Sequence, residues 1–368
     1  MDKNLLDSIE ASDVAGASAV LARSLKKGID PWEIHRSLFP MVQRVMNPPF
    51  INPHLPKMYR IYRDLVPYLS PDRIAALVSL EVSEYARRPK MEKIRKGKPL
   101  ASPVTFRDIE MAIKENDPGK ACIRMASYVK QKGGTEFARR LLILGSGYLN
   151  NSLGHSVSCT TFILAEMLDR TDQDPWPALS VLASYFCQGR FHTTLVPETN
   201  APALTKEMPG TNLLRATSGL GIVNLHHAIT CYSIERIRKL LTPEDYAHMV
   251  NAWVQFLGDK REEKVTLQEG EVQVVEDYDR FHKIFSEMNP GPVTASSIRM
   301  IASEGGRNKL GRFLIQAVCD QYQGDYNPHY LTGLGSILWI LEHYGKDTPI
   351  ATNALYQYLE FLFSGLRR

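Results

Sequence analysis

The sequence predicts an all-α protein made of repeated helical hairpins that close around a histidine-lined pocket. Two observations predict the helices. Apolar residues recur three or four positions apart in nearly every patterned segment, as one buried stripe of a 3.6-residue helix requires. Strand-type alternation is missing, except that Val265 to Val275 suits a short hairpin. A third observation, the recurrence of histidine after short polar turns, predicts the closure. More than about 55% of the chain is expected to be helical, against the usual third.

The elements follow in order. Ser12 and Asp13 are good N-caps for a helix whose apolar positions Val14, Ala17, Leu21 and Leu25 end at Gly28. The same pattern marks helices over 31–45, 55–69, 71–86, 119–132, 135–149, 155–168, 177–188, 226–241, 243–257, 309–322, 328–344 and 350–366. Three stretches interrupt them. Residues 87–98 carry seven Lys and Arg side chains and run into Pro99 and Pro103, reading as a solvated connection. Residues 259–280 are charged and broken by Gly270, reading as a surface insertion. Residues 196–221, rich in Pro and Gly, read as a binding loop or lid. The expected organisation is an N-terminal helical repeat region (1–86), a basic linker (87–107) and a main helical domain (108–368).

Composition narrows the class of function. With 368 residues, 44% hydrophobic and 23% charged, the chain can bury a sizeable core. A net charge of +4 is too small to point to nucleic acid. The basic run at 87–98 also lacks the interleaved aromatics that stack on bases. No stretch reaches the roughly 18 apolar residues of a membrane span, and Met1 to Asp7, with acidic residues and no apolar run after it, reads as neither a secretory signal nor a transit peptide. A soluble cytoplasmic protein is therefore expected. The five cysteines are widely spaced without a C-x-x-C pair, so buried thiols are expected rather than a zinc or disulfide framework.

A weak internal repeat carries the chemistry. Asn52-Pro53-His54 aligns with Asn327-Pro328-His329, and each is followed by a similar apolar helix. Gly154-His155 and Asn224-Leu225-His226-His227 fit the same register, and an upstream helix ending in Tyr185-Phe186 leads to His192. With Asn as N-cap and Pro at N1, His54 and His329 are placed at N2. There the positive helix end disfavours imidazolium and leaves a neutral ring, able to bind a metal or polarise a carbonyl. A hydroxyl lies one turn on in three cases: Ser158 after His155, Thr230 after His227 and Thr332 after His329. Glu166 and Glu235 lie further along two of these helices, and His35, His248, His282 and His343 fall outside the register on faces that read as solvated.

Known short motifs are absent: no H-E-x-x-H, no P-loop, no G-x-S-x-G, and Gly219-Leu220-Gly221 lacks the third glycine of a dinucleotide fingerprint. The segments Asn224 to Thr230 and Asp325 to Thr332, with Pro53 to Tyr59 more loosely, resemble the questin oxidase-like family. That resemblance implies oxidation of aromatic polyketides of the Baeyer–Villiger type, with NADPH as electron source and no flavin motif.

Two readings stand. In the first, the repeats close and His155, His192, His227 and His329 form a catalytic or metal-binding pocket. Glu166 or Glu198 would complete the shell of a metal, iron being favoured, while His54, His226, Thr230, Thr332 and Tyr326 face a small aromatic substrate. Without a metal, the same neutral imidazoles would act as general acid–base groups. Nearby aromatics, among them Tyr148, Tyr185, Phe191, Tyr232 and Tyr330, suit stacking on a planar substrate or an ordinary core. In the second reading an open helical solenoid binds a partner protein, and its histidines lie on a line one repeat apart.

Overall fold

A computed structural model describes residues 3–48, 52–171, 173–188, 191, 210–267, 275–321 and 327–367. It is 75% helical, with 20 α-helices and no strand among the described residues. The predicted helices are present, with ends shifted where backbone chemistry demands it. Asp13 caps Val14–Lys26 by accepting from the Gly16 N–H, and Gly28 ends the turn at φ 78°. The segment expected as one helix over 31–45 is two, Pro31–Ser37 and Phe39–Val42, because Pro40 has no N–H to continue the ladder. Pro67 likewise ends the His54–Leu65 helix in a 3-10 turn.

Five helices lie outside the predicted segments: Lys3–Glu10, Phe106–Lys114, Gly210–Thr217, Tyr278–Ser286 and Pro290–Ile301. Most are shorter than three turns, too short for periodicity to stand out. Phe106–Lys114 nevertheless has a full capping box between Thr105 and Asp108, a signal legible in the sequence. Of the hairpin expected at 265–275, residues 268–274 lie outside the described residues and the remainder forms no strand. The 196–221 loop is a helix from Gly210 to Thr217, and 196–209 lie outside the described residues.

Four helices, His54–Leu65, His155–Asp169, Gly221–Ile237 and His329–Tyr344, make the centre of the fold. The His155 helix packs against the His54 helix on one side and the His226 helix on the other. The His329 helix packs against both the His226 and the His54 helices, which closes the ring. This closed arrangement excludes an open solenoid. Close backbone approach occurs around it: a Cβ on Gly145, in the Gly134–Ser146 helix packed on the His155 helix, would meet the Ser156 carbonyl oxygen at 2.6 Å. Gly154, at φ +77°, sits where a Cβ would fall 2.2 Å from Thr230 Oγ1.

Other described helices pack on these four, among them Gly134–Ser146 on the His155 helix and Thr348–Leu366 on the His329 helix. The segment 88–105 has no helix, and its charges pair with the body: Arg88 with Glu84, Lys93 with Glu10, Lys96 with Asp174. Four cysteines, Cys122, Cys159, Cys187 and Cys231, are buried, and Cys319 is half-buried. No helix among the described residues is long and apolar enough to cross a membrane.

Candidate metal centre

The closed ring brings His54, His155, His226 and His329 together from four helices. The Nε2 of His155 lies 2.7 Å from that of His54 and 3.1 Å from that of His226, whose Nε2 is in turn 3.1 Å from that of His329. Ring centroids of neighbouring pairs are 4.5–4.8 Å apart. All four side chains are buried, none exposed beyond 5%. His54, His155 and His329 form a buried group that could hold a metal ion, with ligand atoms within 4.8 Å of one another.

The far side of three rings fixes where the protons sit. His155 Nδ1 meets the Ser152 carbonyl oxygen at 2.7 Å, and His226 Nδ1 meets the Ile222 carbonyl oxygen at 2.7 Å. A carbonyl only accepts, so each Nδ1 carries the hydrogen and each Nε2 presents a lone pair. Ser152 ends a short helix before two left-handed residues, Leu153 and Gly154, which leaves its carbonyl free of the helical ladder. At His329 the acceptor is Asn327 Oδ1, 2.8 Å from Nδ1 and 3.0 Å from the His329 backbone N–H. The His226 Nε2 lone pair thus faces those of His155 and His329, each at 3.1 Å, with no hydrogen of their own between them.

Burial keeps these rings uncharged. Loss of solvation pushes His54, His155 and His329 well below the ordinary imidazole range, followed by repulsion from the neighbouring rings and from Lys57. His226 is pushed down to about 3, again first by burial. The expected neutrality is present, but desolvation rather than the helix dipole leads it.

Several predicted site residues sit elsewhere. His54 and His329 open their helices at N1 rather than N2, behind Pro53 and Pro328. The His54 N–H meets the Asn52 backbone carbonyl at 2.8 Å, whereas Asn327 caps with its side chain. Since its helix starts at Gly221, His226 is the sixth residue along it, and its position next to His227 decides which ring faces the centre. His227 points away, edge-on to the Phe256 ring at 4.7 Å, with Lys260 Nζ 3.4 Å from its Nδ1. Adjacent helical residues differ by about 100°, so only one of the pair can point inward.

Glu166 is not at the cluster: Arg170, Arg60 and Arg63 surround its carboxylate and hold it below the usual range against the opposing effect of burial. Glu235 accepts from Tyr246 at 2.6 Å. Thr230 Oγ1 donates to the His226 carbonyl at 2.7 Å, and the Thr332 hydroxyl is buried one turn beyond His329. His192, Glu198 and Tyr326 lie outside the described residues. Among the aromatics, Tyr148, Tyr185, Phe186 and Phe191 pack on one another, and Tyr232 bonds Asp64. His35, expected on the surface, is buried between Trp32 and Tyr59, with Nδ1 2.7 Å from Glu81 Oε2.

No family model, curated protein or solved structure matches this chain. The geometry of the centre therefore carries the functional argument. Replacing Asn327 with alanine is expected to cost about 1 kcal/mol of stability through the lost cap. Any metal ion held at the centre should also bind roughly 10- to 100-fold more weakly, because His329 loses the acceptor that fixes its ring. Thermal melts and metal titration of the one variant measure both.

Proposed function

We propose that this chain is a metal-dependent enzyme in which His54, His155, His226 and His329 hold one transition-metal ion. The observations that carry this reading are the buried group of His54, His155 and His329, whose ligand atoms lie within 4.8 Å of one another, and the His226 Nε2 lone pair 3.1 Å from the Nε2 atoms of both His155 and His329. Donors ~2.1 Å from an ion and 90–109° apart are separated by ~3.0–3.4 Å, close to the 3.1 Å spacings around His226. Imidazole without thiolate suits iron, copper, nickel or zinc better than magnesium or calcium. Iron is the choice that joins this donor set to oxidation of an aromatic small molecule, the chemistry implied by the resemblance to the questin oxidase-like family, with NADPH as the reductant. When bound, such an ion supplies one-electron and dioxygen chemistry. The protein's own residues fix the donor rings, keep them unprotonated and exclude water around them.

The test is a set of alanine variants. His155→Ala and His226→Ala should lose metal while retaining a helical circular dichroism spectrum, whereas His227→Ala and His343→Ala should load as the parent does. Equal loading in all four would remove the assignment.

A further inference from the structure

A second polar layer lies one helical turn beyond the histidines. Lys57 follows His54 by three residues, Ser158 follows His155 by three and Thr332 follows His329 by three, so each shares a helix face with its histidine. All three are buried, and Lys57 has no exposed surface at all. Lys57 Nζ donates to Ser158 Oγ at a long 3.5 Å, one weak bond for an amine with two or three N–H donors. The Thr332 hydroxyl has no partner among the described residues. Because Lys57 lies one turn below His54 and reaches Ser158, one turn below His155, its head group sits beneath the His54–His155 pair, whose Nε2 atoms are 2.7 Å apart.

The charge count of the centre points the same way. Four neutral imidazoles leave a divalent ion uncompensated in a buried site, an arrangement that is strongly unfavourable without a counter-charge. The buried carboxylates are engaged elsewhere: Glu81 with His35 and Tyr85, Glu84 with Arg88, Glu166 with its arginines. We infer that Lys57 and Thr332, with Ser158 behind them, form an anion subsite beneath the metal, and that the substrate enters as an anion through an ionised hydroxyl or carboxyl group. One oxygen then faces the ion while N–H and O–H donors of this layer meet the anion, which works whether Lys57 is charged or neutral. The inference rests on the metal reading above.

Cobalt(II) loaded into the full chain reports on both, since its visible spectrum changes when an anion enters the shell. Azide and acetate are the probes. Each should saturate at one per cobalt, and Lys57→Met should weaken both by about 10-fold or more, the loss expected for a hydrogen bond to a charged group. Lys57→Arg should restore most of the affinity, and Thr332→Val should show a smaller loss with cobalt content unchanged. Cobalt retained with no spectral response to either anion would overturn the subsite alone, as would unchanged affinities in Lys57→Met and Thr332→Val. Failure to retain cobalt would instead remove the metal reading, and this inference with it.

Discussion

Stripped of metal, the protein is expected to lose stability steeply as pH falls below 6.5. The buried imidazoles are neutral in the native state because burial holds them far down, to about 3 at His226 and about 4 at His227. In the unfolded chain they protonate near 6.5. The unfolded state therefore binds more protons below that value, so their contribution is intact above pH 6.5 and is lost as pH falls toward the native values. Each extra proton is worth ~1.4 kcal/mol per pH unit, so the four clustered rings and His227 together give a slope several times that of one histidine. Denaturant unfolding at a series of pH values measures it. His227→Phe, which removes one such ring outside the cluster, should lower the slope by about one proton. A stability that stays flat from pH 6.5 to 4.5 would contradict the buried neutral cluster.

The second large effect is stabilisation by metal. An ion held by four native-state imidazoles and absent from the unfolded chain raises stability by roughly 4 kcal/mol at a thousandfold excess over its dissociation constant. His155→Ala should abolish this gain, because the His155 Nε2 lies within 3.1 Å of the Nε2 atoms of both His54 and His226. The ligands are already unprotonated, so binding at pH 7 should release almost no protons and the affinity should change little between pH 6.5 and 8. An exposed histidine site would instead weaken as its ligands protonate near 6.5. Titration calorimetry in buffers of different ionisation enthalpy separates the two cases.

The helices were legible because apolar periodicity is a local property, readable wherever a segment runs three turns or more. The short helices escaped that test, although Thr105 and Asp108 announced one of them by their capping pattern. The histidine register was legible for the same local reason: a polar turn followed by a helix start placed His54, His155 and His329 alike. His226 was harder. Its helix begins at Gly221, more than a turn before the pattern suggested, and only the rotational setting of that helix separates it from His227. Glu166 shows a different limit. A carboxylate down the helix from a histidine looks like a ligand in sequence, yet Arg60, Arg63 and Arg170 arrive from other turns and neighbouring helices to take it. His35 looks solvated in the sequence because its partners Tyr59 and Glu81 are distant in the chain. Closure of the ring, which separates a shared cluster from histidines strung along an open solenoid, is a long-range packing event that no local pattern encodes.

The most direct test of the four-histidine centre is elemental analysis of the purified protein combined with X-ray absorption at the edge of the metal found. The geometry predicts about one ion per chain with a first shell dominated by imidazole nitrogen near ~2.1 Å. A protein that carries no metal and takes up none from a weak chelator, or a bound ion whose shell is sulfur or carboxylate, would contradict it.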